Sequence, residues 1–211
     1  MTTPAIPDTE ELLRRAADGR GSAVEELFDR HRPRLRQMIA VWIDPRLSPR
    51  LDPSDVVQDT LVEAHGSLAD FLRKRPLPFY PWLRQMAWNR LVDLHRRHLL
   101  AGRRSISRED PRGMAISDQS MERLSRKLTA SHADPARRMI RKELAQRVRT
   151  ALDRLPAAAR EILVLRHMEQ LSVKEIAVIL GIAEGTAKSR HFRALEQLRH
   201  LLAGDRPGGA A

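Results

Sequence analysis

Apolar residues in this chain recur at intervals of three or four positions from about residue 9 onward. This spacing places them on one side of an α-helix, whereas residues of a half-buried β-strand alternate between apolar and polar. Aromatic residues, which are common in strands, make up only 4% of the chain. The pattern therefore predicts an all-α protein.

Two blocks of helical periodicity are separated by a stretch that lacks it. The blocks cover residues 9–100 and 136–203, and the length of 211 residues suits two small domains. Residues 101–135 are rich in Arg, Ser, Asp and Gly, and residues 204–211 form a Gly- and Pro-containing tail. We therefore predict two helical domains joined by a flexible linker over 101–135, with a disordered tail.

The balance of charged residues points to an anionic partner. The formal net charge is +11 and the sequence pI is about 11.2, which favours nucleic acid, with an anionic membrane surface as the alternative. No apolar run approaches the roughly 20 residues that span a bilayer, and the first ten residues do not resemble a secretory signal. We expect a cytoplasmic protein without membrane insertion.

Several kinds of chemistry have no support in the sequence. The absence of cysteine excludes disulfides, thiolate metal sites and a cysteine nucleophile. Neither a GxxxxGK phosphate loop, a GxSxG elbow nor an HExxH pair occurs. Asp93, His95 and His98 lie close together, but histidines three apart on an arginine-rich helix are more often surface residues. We predict no catalytic residue, cofactor or metal site.

The segment 171–187 has the pattern of a helix, a tight turn and a second helix. Ser172 can cap the first helix while Glu175 reaches back to it, and Gly181 permits the left-handed turn that ends it. The expected buried residues are Ile176, Ala177, Ile179, Leu180 and Ile182. This segment predicts a helix-turn-helix at the C-terminal end of the chain.

The second helix of this motif is expected to run from Thr186 to about Leu202 and to present a polar, basic face. A helix of this kind fits the major groove of B-DNA, where Arg and Lys donate to guanine and Ser and Thr reach phosphates or base edges. The alternative is an ordinary helical hairpin whose basic face is solvated. The candidate DNA-binding residues are Gly185, Thr186, Lys188, Ser189, Arg190 and Arg193.

An acidic segment in the first block interrupts the basic character of the chain. Residues 52–63 contain four acids and no Lys or Arg, and Asp52 followed by Pro53 is a good start for a helix that should reach about His65. The apolar residues expected to share burial are Val56, Val57, Leu61 and Val62. Asp55, Gln58 and Asp59 would then share an exposed face, which is either a protein-binding surface or simply solvated.

A further helix, expected from Trp82 to about Leu100, combines aromatic and basic residues. Residues 82–104 contain six arginines and a single acid, and aromatic residues cluster at the start of this segment. Cations and stacking rings suit an unpaired DNA strand, although the two tryptophans might equally be core residues. The candidate residues are Tyr80, Trp82, Trp88, Asn89, Arg90, Arg96 and Arg97.

Two signatures in this order resemble the extracytoplasmic-function (ECF) subfamily of sigma-70-type RNA polymerase sigma factors. The first is DVVQDTL at 55–61 followed by WLRQMAWNRLVDLHRR at 82–97. The second begins with LDRLP at 152–156 and ends with EGTAKSR at 184–190. The resemblance covers about residues 10–100 and 144–202. His191 and Ala187 depart from it, since many relatives carry Leu and Val there, and burial of Phe192 would compensate.

The resemblance implies a set of partners and roles. The face of Asp55, Gln58 and Asp59 would dock on the clamp coiled coil of the largest polymerase subunit, and the flap of the second-largest subunit would be a further contact. The loop before Trp82 and the helix through Arg97 would melt and capture the promoter −10 element, and the C-terminal helix would read the −35 element as duplex. An anti-sigma factor is a further expected partner, and the free chain is expected to be a monomer.

Two other readings account for part of the pattern. A conventional activator or repressor would use the helix-turn-helix alone and would dimerise on paired half-sites, which leaves the acidic and aromatic helices unexplained. A membrane-surface protein would need a basic amphipathic helix with an apolar side. The helix from Trp82 partly meets that need, but its apolar stripe is expected to lie in a domain core.

Overall fold

The structure is a computed structural model that describes residues 8–43, 51–97, 116–129 and 138–204, without the side chains of 138–141. All regular elements in these ranges are helical, which confirms the predicted all-α class. The chain divides into two compact units, Met1–Pro111 and Arg112–Ala211.

The N-terminal unit contains four described helices. They are α1 (Thr9–Ala17), α2 (Gly21–Trp42), α3 (Pro53–Lys74) and α4 (Phe79–His95). Helix α2 packs against the other three, and α3 also packs against α4. The largest fully buried side chains of this unit are Leu12, Leu13, Leu27, Leu35, Met38, Ile39 and Leu83.

Helix α3 begins where the sequence predicted and ends later. The Asp52 side chain accepts a hydrogen bond of 2.7 Å from the backbone N–H of Ser54, and Pro53 occupies the first turn. The predicted end near His65 is wrong, since the helix continues to Lys74. Buried Leu68 and Phe71 extend its apolar stripe, so packing continues beyond Gly66.

Helix α2 continues through Pro33, with buried residues before and after it. Two further expectations for this unit are corrected. Helix α4 starts at Phe79, ahead of the expected Trp82, because Phe79 and Tyr80 are buried. Val62, expected to be buried, has 64% of its surface exposed.

The C-terminal unit consists of five described α-helices and a π-helical turn. They are α5 (Asp118–Thr129), α6 (Arg138–Asp153), α7 (Ala157–Leu163), the π-helical turn (Val164–Met168), α8 (Val173–Leu180) and α9 (Glu184–Gly204). Helix α9 packs against α6, α7 and α8. The largest fully buried side chains are Leu124, Leu152, Ile162, Leu163 and Leu165.

Part of the predicted linker is a folded helix. Residues 118–129 form α5, which packs against α6 and the π-helical turn and buries Met121 and Leu124. Arg149 of α6 donates a hydrogen bond of 2.6 Å to Asp118 and another of 3.0 Å to Asp153. The flexible-linker prediction is therefore wrong for this segment, whose few apolar residues nevertheless share one face. The rest of 101–135 and the predicted tail fall almost entirely outside the described residues.

The helix-turn-helix has the predicted local structure. The Ser172 hydroxyl accepts a hydrogen bond of 3.1 Å from the Glu175 backbone, and the Glu175 carboxylate accepts one of 2.8 Å from the Ser172 backbone. Gly181 ends α8 with φ +63°. Ile176 and Ala177 are buried, whereas Ile179, Leu180 and Ile182 are only half-buried.

Replacing Gly181 by alanine is expected to destabilise the C-terminal unit by about 1 to 2 kcal/mol, because a β-carbon is disfavoured in the left-handed region. Thermal unfolding of the full chain would measure the effect. Gly185 lies in the first turn of α9 with open space around its Cα, so Gly185→Ala serves as the matched control and should be neutral or slightly stabilising. Equal stability of the two variants would contradict the prediction.

Candidate nucleic-acid interface

The N-terminal half of α9 presents the predicted basic face to solvent. All six predicted residues are exposed: Gly185, Thr186, Lys188, Ser189, Arg190 and Arg193. On the opposite side, Ala187, Ala194 and Leu198 are buried. The helix therefore rests on the unit by its small and apolar residues, and its polar residues are available to a partner.

Phe192 adds an apolar group to this exposed face. The expectation that it buries is wrong, since 64% of its surface is exposed. At 100° per residue, its position lies between those of Lys188 and Ser189 and opposite the buried Ala194. Helical periodicity carried a signal for this outcome, because it places Phe192 opposite Ala194, whereas the expectation followed the usual burial of phenylalanine.

His191 lies at the border of the same helix and contacts a second histidine. Its Nε2 atom is 3.1 Å from Nε2 of His167 in the π-helical turn, and the two ring centroids are 5.3 Å apart. Both rings are half-buried. Burial, followed by the charges of His191, Arg166 and Lys127, lowers the pKa of His167 to about 4. Burial, followed by the charge of Arg166, also lowers the pKa of His191.

The aromatic residues of α4 are less available than predicted. Tyr80 is 3% exposed; it stacks on His31 at 5.7 Å between centroids, and the Arg34 guanidinium lies 3.8 Å from its ring. The prediction that Tyr80 stacks directly on DNA bases is therefore wrong for this conformation, because the surrounding helices cover its ring.

The two tryptophans of α4 are half-buried. Trp82 packs on Phe71 at 4.4 Å between ring centroids, and Trp88 meets Trp42 edge to face at 5.1 Å. Each ring therefore belongs partly to the core, and part of each remains exposed. The alternative interpretation, in which the two tryptophans are core residues, is therefore confirmed in part.

The polar candidates on α4 differ in their exposure and in their ion pairs. Asn89, Arg96 and Arg97 are exposed. Arg90 is half-buried and tied to α3, with its guanidinium 2.5 Å from the Asp59 carboxylate and 3.8 Å from that of Glu63. This ion pair joins a residue predicted to bind DNA to one predicted to bind polymerase, a link that sequence spacing did not reveal.

The residues predicted to form a protein-binding face lie together on α3. Asp55, Gln58 and Asp59 are all exposed, and Gln58 accepts a hydrogen bond of 3.2 Å from Arg32 of α2. A groove of about 370 Å³ runs beside them between α2 and α3. Its lining includes Leu61 and the exposed Val62. Apolar surface next to carboxylates suits a basic, partly apolar partner.

Other kinds of site receive no support from the described residues. Within the described ranges no group of three or more His, Cys, Asp or Glu side chains is placed to hold a metal ion. Among the same residues, no helix is long and apolar enough to cross a membrane.

Two family profiles match the chain in the order of its units. Sigma-70 region 2 matches residues 27–99, and Sigma-70, region 4 matches residues 145–198. The first match contains most of α2 and all of α3 and α4, and the second contains the helix-turn-helix. Helix α5 lies between the two matches.

Individual relatives cover almost the whole chain. RNA polymerase sigma factor NccH of Alcaligenes xylosoxydans xylosoxydans is 34% identical over 96% of this chain and 97% of its own. The ECF RNA polymerase sigma-E factor of Escherichia coli (strain K12) is 30% identical over 89% and 90%. Among solved structures, CnrH in complex with the cytosolic domain of CnrY shares 26% identity with a TM-score of 0.51, covering 94% of this chain and all of that one.

Proposed function

The chain belongs to the ECF group of sigma-70-type RNA polymerase sigma factors, and from this premise we propose how its two units share the recognition of a promoter. As a sigma factor it directs RNA polymerase to promoters and initiates transcription. In our proposal the C-terminal unit reads the −35 element as duplex, and the N-terminal unit docks on core polymerase and captures the −10 strand.

The observation that carries the proposal is the division of α9 into two sides. Its buried side consists of small and apolar residues such as Ala187 and Ala194, while all six predicted DNA-binding residues are exposed. A helix in the major groove reads bases with its N-terminal residues. In this arrangement Arg190 and Arg193 contact bases and Lys188 contacts phosphate.

Phe192 extends the reading surface by an apolar contact. An exposed aromatic ring between Lys188 and Ser189 suits the C5-methyl group of thymine, which is the apolar feature of the major groove. Phe192→Ala is expected to weaken binding of the holoenzyme to its preferred −35 duplex by about tenfold. The loss should disappear when thymines at the contacted position are replaced by uracil, and an equal loss on both duplexes would contradict the contact.

For the −10 element, the exposed residues of α4 are the main candidates. Asn89, Arg96 and Arg97 offer donors to the strand, and the exposed edges of Trp82 and Trp88 offer stacking surface. Arg90 joins them when its ion pair with Asp59 opens. Tyr80 supports the site from within the core, where it stacks on His31.

The exposed acidic face of α3 is the proposed docking site for core polymerase. Asp55 and Asp59 with Gln58 would meet the clamp coiled coil of the largest subunit, and the flap of the second-largest subunit would contact the C-terminal unit. An anti-sigma factor is a further proposed partner, and the similar chain CnrH is bound in its solved structure by the cytosolic domain of a second protein, CnrY. We further propose a free monomer, without enzymatic activity of its own, in the cytoplasm.

The test is reconstitution with core RNA polymerase. Purified chain and core enzyme are mixed, the complex is isolated by size exclusion, and start sites are mapped by run-off transcription on genomic fragments. Stoichiometric binding with new start sites sharing upstream elements is the expected result. Dimeric binding to duplex DNA without polymerase would instead indicate a conventional regulator.

A further inference from the structure

Two histidines connect the helix that bears the DNA-reading residues to the turn beneath it. His191 belongs to α9, and His167 belongs to the π-helical turn at Val164–Met168. Their Nε2 atoms are 3.1 Å apart, and the rings are inclined by 32°. The distance is that of a hydrogen bond between two ring nitrogens.

Such a bond constrains the protonation of the two rings. One ring donates from Nε2–H and the other accepts with a bare Nε2, so the accepting ring must be neutral. When both rings are neutral they are opposite tautomers. Protonation of both rings would remove the bond and place two positive rings in contact, so the pair is held together only while at least one ring is neutral.

The surroundings favour the neutral state. Arg166 of the same turn and Lys127 of α5 face His167, and Arg166 also acts on His191. Burial together with these cations lowers the pKa of His167 to about 4. At neutral pH the hydrogen bond is therefore intact.

The bond lies close to the residues that face DNA. His191 is adjacent to Arg190 and two positions before Arg193, while its neighbours on the buried side are Ala187 and Ala194. These alanines have no polar group and little surface with which to fix rotation of the helix about its axis. A directional hydrogen bond supplies that constraint, and base readout requires side chains held within about 0.5 Å of their working position.

We propose that His167 is a positioning residue for promoter recognition, which fixes the rotation of α9 through its hydrogen bond to His191. The inference rests on the proposed reading of the −35 element by α9. His167 itself need not touch DNA. It acts through His191, so its loss lowers discrimination between promoter sequences more than it lowers general affinity for DNA.

The experiment compares two duplexes with the full chain bound to core polymerase at pH 7.5. The first duplex is selected by the wild-type holoenzyme from a library with randomised −35 positions, and the second carries a scrambled −35 element. His167→Leu and His191→Leu should each lower the ratio of the two affinities by about two- to tenfold, the effect of one hydrogen bond. The double variant should be no worse than either single variant, because both remove the same bond.

Two controls separate positioning from packing. His167→Gln retains a side chain that can hydrogen-bond to His191 and should keep the wild-type ratio within about twofold. His200→Leu removes an exposed imidazole from the same helix and should have no effect.

A second readout is the pH dependence of stability. Because the folded pKa of His167 is about 4 against an ordinary value of 6.5, the unfolded chain binds a proton in this interval that the folded chain does not. The contribution of His167 to the stability of the C-terminal unit should be fully present above pH 6.5 and should be lost as the pH decreases towards 4. This contribution should be absent in the double leucine variant.

Three outcomes are informative. Equal losses on both duplexes, or additive losses in the double variant, would overturn the positioning role while leaving −35 readout by α9 intact. A wild-type holoenzyme that selects no −35 sequence from the library would overturn the proposed function, and with it this inference. A lower ratio for both leucine variants, together with rescue by His167→Gln, is the supporting result.

Discussion

Replacing Arg190 and Arg193 together by alanine is expected to lower affinity of the holoenzyme for its preferred promoter by about a hundredfold or more. Both side chains are exposed on the N-terminal half of α9, and each base-specific contact contributes about 1 to 3 kcal/mol of discrimination. Fluorescence-based promoter binding and abortive transcription would measure the loss.

Matched variants on the same helix identify the source of that loss. Arg199 pairs with Glu196 at 2.6 Å and lies nearer the C-terminal end of α9, so Arg199→Ala removes one positive charge from the same helix without touching the reading surface. Lys188→Ala should weaken binding to all sequences alike. It should also reduce the slope of log affinity against log salt concentration by about one. The double alanine variant of Arg190 and Arg193 should instead lose the preference for particular bases. Unchanged promoter strength in the double variant would refute their assignment.

The local features of the fold could be predicted from the sequence because each depends on residues a few positions apart. The start of α3 at Asp52 and Pro53 is one such feature. The capping of α8 by Ser172 and Glu175, and its end at Gly181, are others. In each case a side chain satisfies a backbone group of its own turn, so no knowledge of distant packing is needed.

Features that depend on packing between helices could not be predicted in the same way. Tyr80 is covered because His31 and Arg34 of α2 lie over its ring, and their positions in the sequence are remote from it. Helix α5 has few apolar residues, and its fold depends on a partner surface and on Arg149.

In the candidate site, too, local features could be predicted and contacts between elements could not. The exposed face of α9 follows from helical periodicity, so all six residues predicted there are exposed. The contact between His167 and His191 spans 24 positions, and the ion pair between Arg90 and Asp59 spans 31. Sequence spacing cannot show such contacts, because they arise where two elements meet.

Reversing the charge of the acidic face on α3 is expected to weaken binding to core polymerase by about a hundredfold while the fold is retained. Asp59→Arg would also break the ion pair with Arg90 and set two guanidinium groups together, which confuses loss of docking with a change in α4. The sharper variant is Asp55→Arg alone, since Asp55 is exposed, Asp59 stays paired with Arg90 and Gln58 keeps its hydrogen bond from Arg32.

The physical reason is that a like-charge contact across an interface costs several kcal/mol, whereas the same substitutions on a free helix face cost only tenths. Asp70→Arg is the matched control, because Asp70 is exposed on the same helix and pairs only with its neighbours Arg73 and Lys74 among the described ion pairs. Circular dichroism should show equal helicity and equal melting for both variants. Titration with core polymerase should then distinguish the two variants, and full binding by the Asp55→Arg variant would move the docking site away from α3.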